Sequence, residues 1–524
     1  MRPLTLLLGS AWLLGTVGAS AIAIQGCGSS SCEESQTCGA VAGDGGVGEG
    51  GDGPAIIEGG ADGLPPGCDG TKDPGEASCQ VVDEVGIFVD STAGAGDGTK
   101  GKPVTTIAKG IELAKAASKG RVYVCKGTYA EAVVLDASKD GVSIYGGFKC
   151  ADWSYAKEAT LVAPPTVGFA LTIKKTAAAI TIADLEFRAK AAEADGDSSI
   201  AGFVSDASSV TLKRVKLVAA AGKDGKSGAS VADFAGRAPD GMSAIGTTPG
   251  APAPNTCTTG NSTGGLGGSN NQGGASGTPL GLPEIPPLAT GTGGDTNQPC
   301  ASSFAAHDGA FGPGGAPGNG AAQPGHLTAS EWAHADGSSG GNGGTAQGGG
   351  GGAGKSGYGG GGGAGGCGGL AGAGGTGGGS SIALASFRSA VSITASAFTA
   401  ENGRDGGKGA SGQKGQLGSL STGNGVAGGC SGGLGGHGGS GGGGGGGAGG
   451  SSIGIAYQGT APTVDGAPIA DAATLVGVTI GSAGGKGLKG TGGPAAQTAA
   501  PASNAGLDGT DGAPGLAKAV TAVP

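Results

Sequence analysis

The sequence predicts an all-β protein built as a solenoid of stacked strand pairs that is interrupted by long glycine-rich insertions. Three observations lead to this fold class. A short apolar pattern recurs four times, glycine supplies 127 of the 524 residues, and aromatic residues make up only 4% of the chain. A conventional packed core therefore cannot extend over the whole chain. Each apolar repeat is too small to bury its own face, so the copies must stack on one another.

The repeated pattern is apolar-x-apolar-x-x-apolar-x-apolar, the spacing of two short strands joined by a bend, because side chains alternate along a strand. Its four copies are residues 180–187, 210–217, 391–398 and 473–480. Ser396 and Ala473 are the weak positions. The last three copies each follow a Ser-Ser-Ile strand, which begins at Ser198, Ser380 or Ser451, and each precedes glycine-rich chain. We therefore expect the insertions to leave the repeat at one equivalent point and to project side by side.

The first 26 residues are predicted to be an export signal. Arg2 supplies a positive charge, residues 4–23 are apolar, and Ile24-Gln25-Gly26-Cys27 resembles a bacterial lipobox in which Cys27 would carry the lipid. Gln25 is unusual in a lipobox, and the alternative is a signal peptide cleaved near Ala23. No later apolar stretch is long enough to span a bilayer. We expect an exported chain that is lipid-anchored in the cell envelope, at the outer membrane or cell surface.

The chain has 11 cysteines, and lipidation of Cys27 would leave ten, an even number that favours disulfides in an exported protein. Pairing of nearest neighbours predicts the bridges Cys32–Cys38, Cys68–Cys79, Cys125–Cys150, Cys257–Cys300 and Cys367–Cys430. About one solenoid turn separates residues 125 and 150, which would place this pair on adjacent rungs. A metal site is the alternative, but neither a Cys-x-x-Cys motif nor a Cys/His cluster supports one.

From Val85 the chain shows regular elements. Ile107, Ile111 and Ala114 share one face of a predicted helix that stops at Gly120, and a half-buried strand follows. With FVD, DGTKGKPVTTIAKG, RVYVCKGTY and VSIYGGF, this stretch resembles the N-terminal part of the pectin-lyase-like superfamily. The resemblance covers about residues 85–220. It implies a right-handed parallel β-helix whose open end is capped by the short helix.

The composition shifts predict eight segments. They are a lipoprotein signal (1–26), a polar, glycine-rich tether (27–80), an N-terminal β-helix module (81–221), a glycine-rich insertion (222–379), a β-helix rung (380–402), a second insertion (403–450), a second rung (451–481) and a glycine- and alanine-rich C-terminal tail (482–524). This combination is similar to glycine-rich exported lipoproteins of bacteria such as myxobacteria.

Two interpretations of the insertions remain open. A flexible, hydrated and disordered brush is one, because glycine is costly to order and buries no side chain. Stacked extended helices of the polyglycine-II-like type are the other, because chains without side chains can pack closely through backbone contacts.

The resemblance also raises the question of polysaccharide lyase or hydrolase activity, which would need clustered carboxylates and a base or several close aspartates around Gly-His-Gly. Gly436-His437-Gly438 occurs, but inside a low-complexity tract and without an Asp-Asp pair upstream, and we interpret it as coincidence. Arg214, with Lys213 and Lys216, is either a substrate-facing basic ladder or a set of outward charges on an amphipathic strand. We predict no catalytic residue.

Metal sites are weakly supported. His326, Glu331 and His334 lie within nine residues, but their spacing is not His-Glu-x-x-His, which favours a solvated turn. Asp224 and Asp405 occupy equivalent positions after the repeats, where stacking could recruit calcium or alternating charge pairs. We therefore expect no cofactor, with calcium as the alternative.

Function is expected to be structural, adhesive or ligand-displaying, and not catalytic. The formal charge of −10 makes a nucleic-acid role unexpected. Partners would be the membrane, through the lipid anchor, and polysaccharide or other surface proteins. Trp332 and Tyr358 are the candidates for ligand contact, because sugar platforms need exposed aromatic rings. The alternatives are a polysaccharide lyase or hydrolase and a relative that has kept only glycan binding.

Overall fold

β-strands make up nearly all the regular structure in a computed structural model, which describes residues 64–280, 290–297, 299–300, 306–498 and 500–524. Within these residues there is one α-helix, α1 (Ile107–Ala116), and there are three 3-10 turns, Ser78–Gln80, Ala137–Lys139 and Ala502–Asn504. The predicted signal segment, Cys27, Cys32 and Cys38 lie outside the described residues.

Most strands, numbered in chain order, belong to three sheets. Sheet A contains β1 (Gly86–Val89), β2 (Arg121–Cys125), β5 (Ser143–Phe148), β8 (Ile180–Ala183), β11 (Val210–Lys213), β18 (Val391–Thr394), β21 (Thr463–Val464) and β22 (Ala467–Pro468). Sheet B contains β4 (Val133–Leu135), β7 (Leu171–Lys174), β10 (Ser199–Ser205), β17 (Ser381–Phe387), β20 (Ser452–Gln458) and β24 (Ala517–Ala522). Sheet C contains β3 (Gly127–Tyr129), β6 (Thr160–Val162), β9 (Glu186–Arg188), β12 (Lys216–Ala219), β19 (Ala397–Ala400) and β23 (Val478–Ile480).

Two hairpins lie apart from these sheets. They are β13 (Pro254–Asn255) with β14 (Ser262–Thr263), and β15 (Gly325–Leu327) with β16 (Trp332–His334). Within the three sheets the pairings are parallel, except for β21 with β22.

The chain visits the three sheets in rotation. After β10 in sheet B come β11 in sheet A and β12 in sheet C, and the next strands, β17, β18 and β19, repeat that order. Equivalent strands pair in register, so that Leu212 lies between Ile182 and Ile393, and all three side chains are buried. Parallel sheets of this kind confirm the all-β class and are compatible with a β-helix-like fold.

The bend inside each repeat has a fixed backbone conformation. Asp184, Arg214 and Ala395 directly follow the sheet A strand of their repeats, and Gly477, at the equivalent position of the fourth copy, directly precedes β23; their φ angles are 61°, 54°, 47° and 80°. Left-handed backbone costs roughly 1–2 kcal/mol for a residue with a Cβ, and three of these four positions are not glycine. The bend is therefore held by the stacking of the strands on both sides rather than by local preference.

The fourth predicted copy is only half correct. Its second strand exists as β23, but the place of its first strand in sheet A is taken by β21, which pairs with Ser392 and Ile393. Ala473 is exposed, so the small side chain at that position is not buried in the core. Instead, the backbone of residues 472–473 pairs with Ala519 and Val520 at the edge of sheet B.

Each glycine-rich insertion leaves after a strand of sheet C and returns before a strand of sheet B, between β12 and β17, between β19 and β20, and between β23 and β24. The segment predicted as a C-terminal tail, 482–524, is therefore a third, shorter insertion followed by strand β24.

The described glycine-rich segments hydrogen-bond to one another with a three-residue period. Successive N–H groups of residues 348–350 donate to the carbonyls of three different segments, at Thr278, Gly363 and His307, over 2.9 Å each. The direction toward Gly363 recurs at every third residue along 337–352 and the direction toward His307 along 338–350, while the direction toward Thr278 recurs along 348–354. Three residues per turn, without internal hydrogen bonds, is the geometry of the polyproline-II helix. In the part of the chain described here, these segments are thus regularly paired.

Glycine is required where neighbouring segments approach each other most closely. A Cβ on Gly442 would overlap the carbonyl oxygen of Ala316, and a Cβ on Gly441 would overlap that of Leu370. Since the neighbouring atom is backbone in both cases, a larger residue can be accommodated only by moving a whole segment.

Candidate functional site

The junction between the strands and the glycine-rich bundle (the described parts of 222–379, 403–450 and 482–516) is built by pairs of serines at the start of β10, β17 and β20. The first serine of a pair accepts an N–H from the next returning chain: Ser380 N–H donates to Ser198 Oγ over 2.9 Å, and Ser451 N–H donates to Ser380 Oγ over 2.9 Å. The Ser-Ser-Ile repeat therefore marks where insertions return.

The second serine of each pair holds the departing chain. Ser199 Oγ accepts the N–H of Ala220 over 3.0 Å, and Ser381 Oγ accepts that of Glu401 over 2.8 Å. Ser381 is fully buried. Each Ser-Ser pair thus fixes the exit and the return of an insertion at one corner, which explains why the motif recurs.

Aspartates tie one insertion to the next. Asp405 N–H donates to Asp224 Oδ1 over 3.3 Å, and Gly485 N–H donates to Asp405 Oδ1 over 2.7 Å. Further out, Asp240 accepts the N–H groups of Leu420 and Ser421. Asp224 and Asp405, which occupy equivalent positions after the repeats, are adjacent, and their carboxylates accept backbone N–H groups.

Hydrogen bonding lowers the pKa of Asp240. The backbone N–H of Ser421 is the main cause that holds the pKa of Asp240 below its ordinary value, with Leu420 contributing in the same direction against partial burial. The carboxylate is thus the form that this contact favours.

Four disulfides lie in the described residues, and two of the predicted pairings are wrong. Cys68–Cys79 and Cys125–Cys150 are bonded as predicted. In the glycine-rich region the bridges are Cys257–Cys367 and Cys300–Cys430, not Cys257–Cys300 and Cys367–Cys430. Nearest-neighbour pairing fails there because the chain runs out and back several times, so that cysteines close in space are more than 100 residues apart.

The two aromatic candidates for ligand contact differ. Trp332 is 6% exposed, and its Nε1–H donates to Ser380 Oγ over 3.1 Å. It packs with Ile200, Phe203 and Leu327 over the outer face of sheet B. Trp332 is therefore a structural residue and not an exposed platform. Tyr358 is half-buried in a turn, where its backbone pairs with Val426.

Arg214 belongs to a paired charge cluster. Its Nε and Nη2 each donate to Asp184 over 2.7 Å, Nη2 also reaches Asp73 at 3.1 Å, and Tyr155 donates its hydroxyl to Asp184. Lys213 pairs with Asp73. Burial alone would raise the pKa of Asp73, but the hydrogen bonds and charges of Lys213 and Arg214 hold it below its ordinary value.

A cleft of about 300 Å³ adjoins this cluster. Arg214 and Asp184 line it together with a second charge pair, Lys216–Glu186 at 3.4 Å. Of the two interpretations of Arg214, the substrate-facing basic ladder is not formed, because Arg214 faces the carboxylates of Asp184 and Asp73. The same pairings join the first described residues of the tether to the strands.

His437 lies inside the bundle and is 8% exposed. Its Nδ1 accepts the N–H of Gly418 over 2.8 Å, and its ring lies 5.1 Å from that of Phe311. Burial lowers the pKa of His437, while a hydrogen bond with Gln497 acts in the opposite direction. The neutral ring accepts a backbone hydrogen bond here, which is a packing role.

The described residues contain one group of three metal-type ligands close together, Asp90 with Cys125 and Cys150. The two sulfurs form a disulfide, so the group does not offer free thiolates. The nearest carboxylate to His334 Nδ1 is that of Asp336, whose Oδ1 lies 2.9 Å away.

Within the described residues, no helix has both the length and the apolar character needed to cross a membrane. Comparison with protein-family models, with curated proteins and with solved structures finds no match.

Proposed function

We propose that this protein is a non-catalytic, surface-displayed scaffold, in which a stack of strands presents a stiff glycine-rich bundle for structural or adhesive contact. The observation that carries the proposal is the three-residue hydrogen-bond period of the bundle. At polyproline-II rise, residues 337–354 span about 50 Å. A bundle of that length, cross-linked by Cys257–Cys367 and Cys300–Cys430, offers an extended surface that can make many shallow contacts at once.

The handedness of the strand coil and the conformation of the bundle segments are part of the same proposal. The rotation of the chain through three parallel sheets supports a right-handed parallel β-helix, because parallel crossover connections are right-handed in nearly all proteins. The three-residue period supports a bundle of the polyglycine-II type. Electron density at a resolution that resolves carbonyl oxygens would test both, and a left-handed coil or a two-residue pairing period would contradict them.

Export and lipid anchoring of Cys27 complete the proposal. They are supported by the lipobox-like sequence and by the disulfides, which persist in oxidising compartments. Metabolic labelling with an alkyne fatty acid in a bacterial host should mark the full chain and should not mark Cys27→Ser. Equal labelling of both proteins, or labelling of neither, would contradict the anchor.

Adhesion is tested by comparing two valine variants of the displayed chain. Gly442 lies in the bundle interior, whereas Gly236 is exposed with open space around its Cβ position. Cells that display the Gly442→Val protein should lose surface attachment and cell–cell aggregation to the level of cells without the protein, and Gly236→Val should retain both. Attachment that survives when hydrogen exchange shows the bundle to be unprotected would rule out the bundle as the adhesive element.

Glycan binding or cleavage at the Arg214 cleft is the second candidate. The cleft itself favours it, and the saturation of Arg214 by Asp184 and Asp73 argues against it. Incubation of the soluble protein with insoluble and acidic polysaccharides, with both co-sedimentation and released sugar recorded, separates the possibilities. Released sugar would overturn the non-catalytic proposal, and retention without release would add glycan binding to it.

A further inference from the structure

One extended segment (a row) of the glycine-rich bundle, residues 503–513, ends before the neighbouring segment 306–321 does. The segment 306–321 has three hydrogen-bonding directions. Along the first, its N–H groups donate to residues 434–446. Along the second, its carbonyls accept from residues 338–350.

Along the third direction, Gly314 N–H donates to Ser503, and the carbonyls of Gly315 and Gly318 accept the N–H groups of Leu507 and Thr510. Residues 503–513 therefore form a neighbouring row beside 314–321.

This row ends at the 3-10 turn Ala502–Asn504, where the chain turns away. Continued by one and by two periods, the third direction would use the N–H groups of Phe311 and Asp308, respectively. Among the described residues, none accepts a hydrogen bond from either group. The bundle therefore has a position beside residues 308–313 that no described segment fills.

A cavity of about 290 Å³ occupies this position. Phe311, Pro313 and Pro501 give it apolar walls, and Thr290 and Ser503 also line it. Aromatic and proline-lined grooves bind polyproline-II segments, whose conformational entropy is already low. The groove continues the packing interface that the 503–513 row makes with 314–321.

We propose that this groove binds an extended glycine- and proline-rich segment of a second polypeptide, which adds one more polyproline-II row to the bundle. The added row would accept the N–H groups of Asp308 and Phe311 and donate to the carbonyl of Gly309, whereas the Gly312 carbonyl already accepts from Asn504 Nδ2 over 3.0 Å. Glycine is expected at every third position of the added row, since the existing row has glycine at 506, 509, 512 and 515, where a Cβ would overlap the backbone of the adjoining residues 441–450. The expected recognition pattern is thus Gly-x-x with proline at the other positions. This inference concerns the purified protein and does not depend on where the protein is located.

The test is fluorescence polarisation with a labelled (Gly-Ala-Pro)4 peptide and the soluble protein. Saturable binding is expected, and (Ala-Ala-Pro)4, which keeps the extended conformation but lacks the glycines, should bind at least tenfold more weakly. Absence of saturable binding, or equal binding of the two peptides, would overturn the proposal. This comparison requires no protein variant.

The location is tested by filling the groove. Ser503→Trp and, independently, Thr290→Trp should weaken binding of (Gly-Ala-Pro)4 at least tenfold. Ser230→Trp, at an exposed position on the first insertion, should leave the affinity unchanged. Thermal melts of all three show whether they are folded, and a folded Ser503→Trp protein that binds like the parent would place the peptide elsewhere and overturn the assignment.

A last variant distinguishes a second polypeptide from the same chain, because residues 281–289 include three prolines just before Thr290. Replacing Pro283, Pro286 and Pro287 by serine should leave the affinity for the peptide unchanged. A gain of tenfold or more would show that the chain's own segment competes for the groove, and the assignment to a second polypeptide would fail.

Discussion

The strand stack (sheets A, B and C) and the glycine-rich bundle exclude water in opposite ways. In the strand stack, each position is filled by a side chain, as in the buried ladder of Ile182, Leu212 and Ile393. In the bundle, the positions of closest contact are occupied by glycine, and backbone lies directly against backbone, as at Gly442 and Ala316. One region is therefore sensitive to the loss of atoms and the other to their addition. Both belong to one chain and are joined at the Ser-Ser pairs.

Removing atoms from the strand stack should have the largest effect. Leu212→Ala deletes a fully buried side chain between two equivalent residues and should lower the free energy of unfolding by about 2–5 kcal/mol, because the rigid ladder cannot close over the cavity. Urea unfolding of the soluble protein measures it. Thr211→Ala, on the half-exposed face of the same strand, is the matched control, and an equal loss from both variants would contradict the ladder as the core.

Removing the bundle's long-range bridges should come next. Cys257→Ser with Cys367→Ser opens a bridge that spans 110 residues and should cost about 2–4 kcal/mol, since a long loop regains entropy in the unfolded chain. Peptide mapping without reduction should first find Cys257 joined to Cys367. Hydrogen exchange should then show increased opening in the bundle while strands β8 and β11 keep their protection. Increased exchange confined to the strands would contradict this division.

Adding a single methyl group to the bundle should destabilise the protein by a smaller amount, and through overpacking rather than through lost contacts. Gly442→Ala should cost about 1–3 kcal/mol by overpacking, because the added Cβ meets a carbonyl oxygen on another segment. Gly236→Ala has open space and should be neutral or stabilising by up to about 1 kcal/mol, through reduced freedom of the unfolded chain. Thermal unfolding compares the two. If both are neutral, the close packing of the bundle is wrong.

Acid should weaken the bundle through His437. Because the pKa of His437 is lowered in the folded protein, the unfolded chain binds the proton more readily, and stability falls as the pH drops below about 6.5, the pKa of unperturbed histidine. The slope from one proton is at most about 1.4 kcal/mol per pH unit.

His437→Asn keeps an acceptor for the Gly418 N–H and should flatten the profile of stability between pH 7 and 5. His326→Asn, at an exposed histidine, should leave the slope as it is. A parent protein with no slope in this range would show that His437 does not report on the bundle.

The sequence predicted the strand stack better than it predicted the bundle. Alternating apolar residues in three of the four copies led to β8, β11 and β18 with their partners, because a buried face leaves a regular trace in the sequence. The Ser-Ser-Ile motif is recognisable as a repeat, and its position before each insertion is the sequence signal for its role in holding both ends of that insertion.

Other features could not be read from the chain. The pairing of Cys257 with Cys367 depends on how many times the insertion turns back, and runs of glycine give no periodic signal that marks those turns. Trp332 is a candidate ligand contact in the sequence because sugar platforms need exposed aromatic rings, whereas its hairpin covers a sheet made by residues far away in the sequence. In both cases the missing information is long-range packing.

The three-residue period sets a rule for how the insertions can change length. All three begin and end at the same corner, between sheet C and sheet B, so the strands need not move when an insertion grows. Adding three residues to an outgoing segment and three to the segment that returns advances every contact by one full turn and keeps glycine facing backbone. Adding one or two residues instead rotates the glycines away from the closest contacts. Insertions of this kind can therefore lengthen in whole turns, which lets the reach of the bundle vary while its base stays constant.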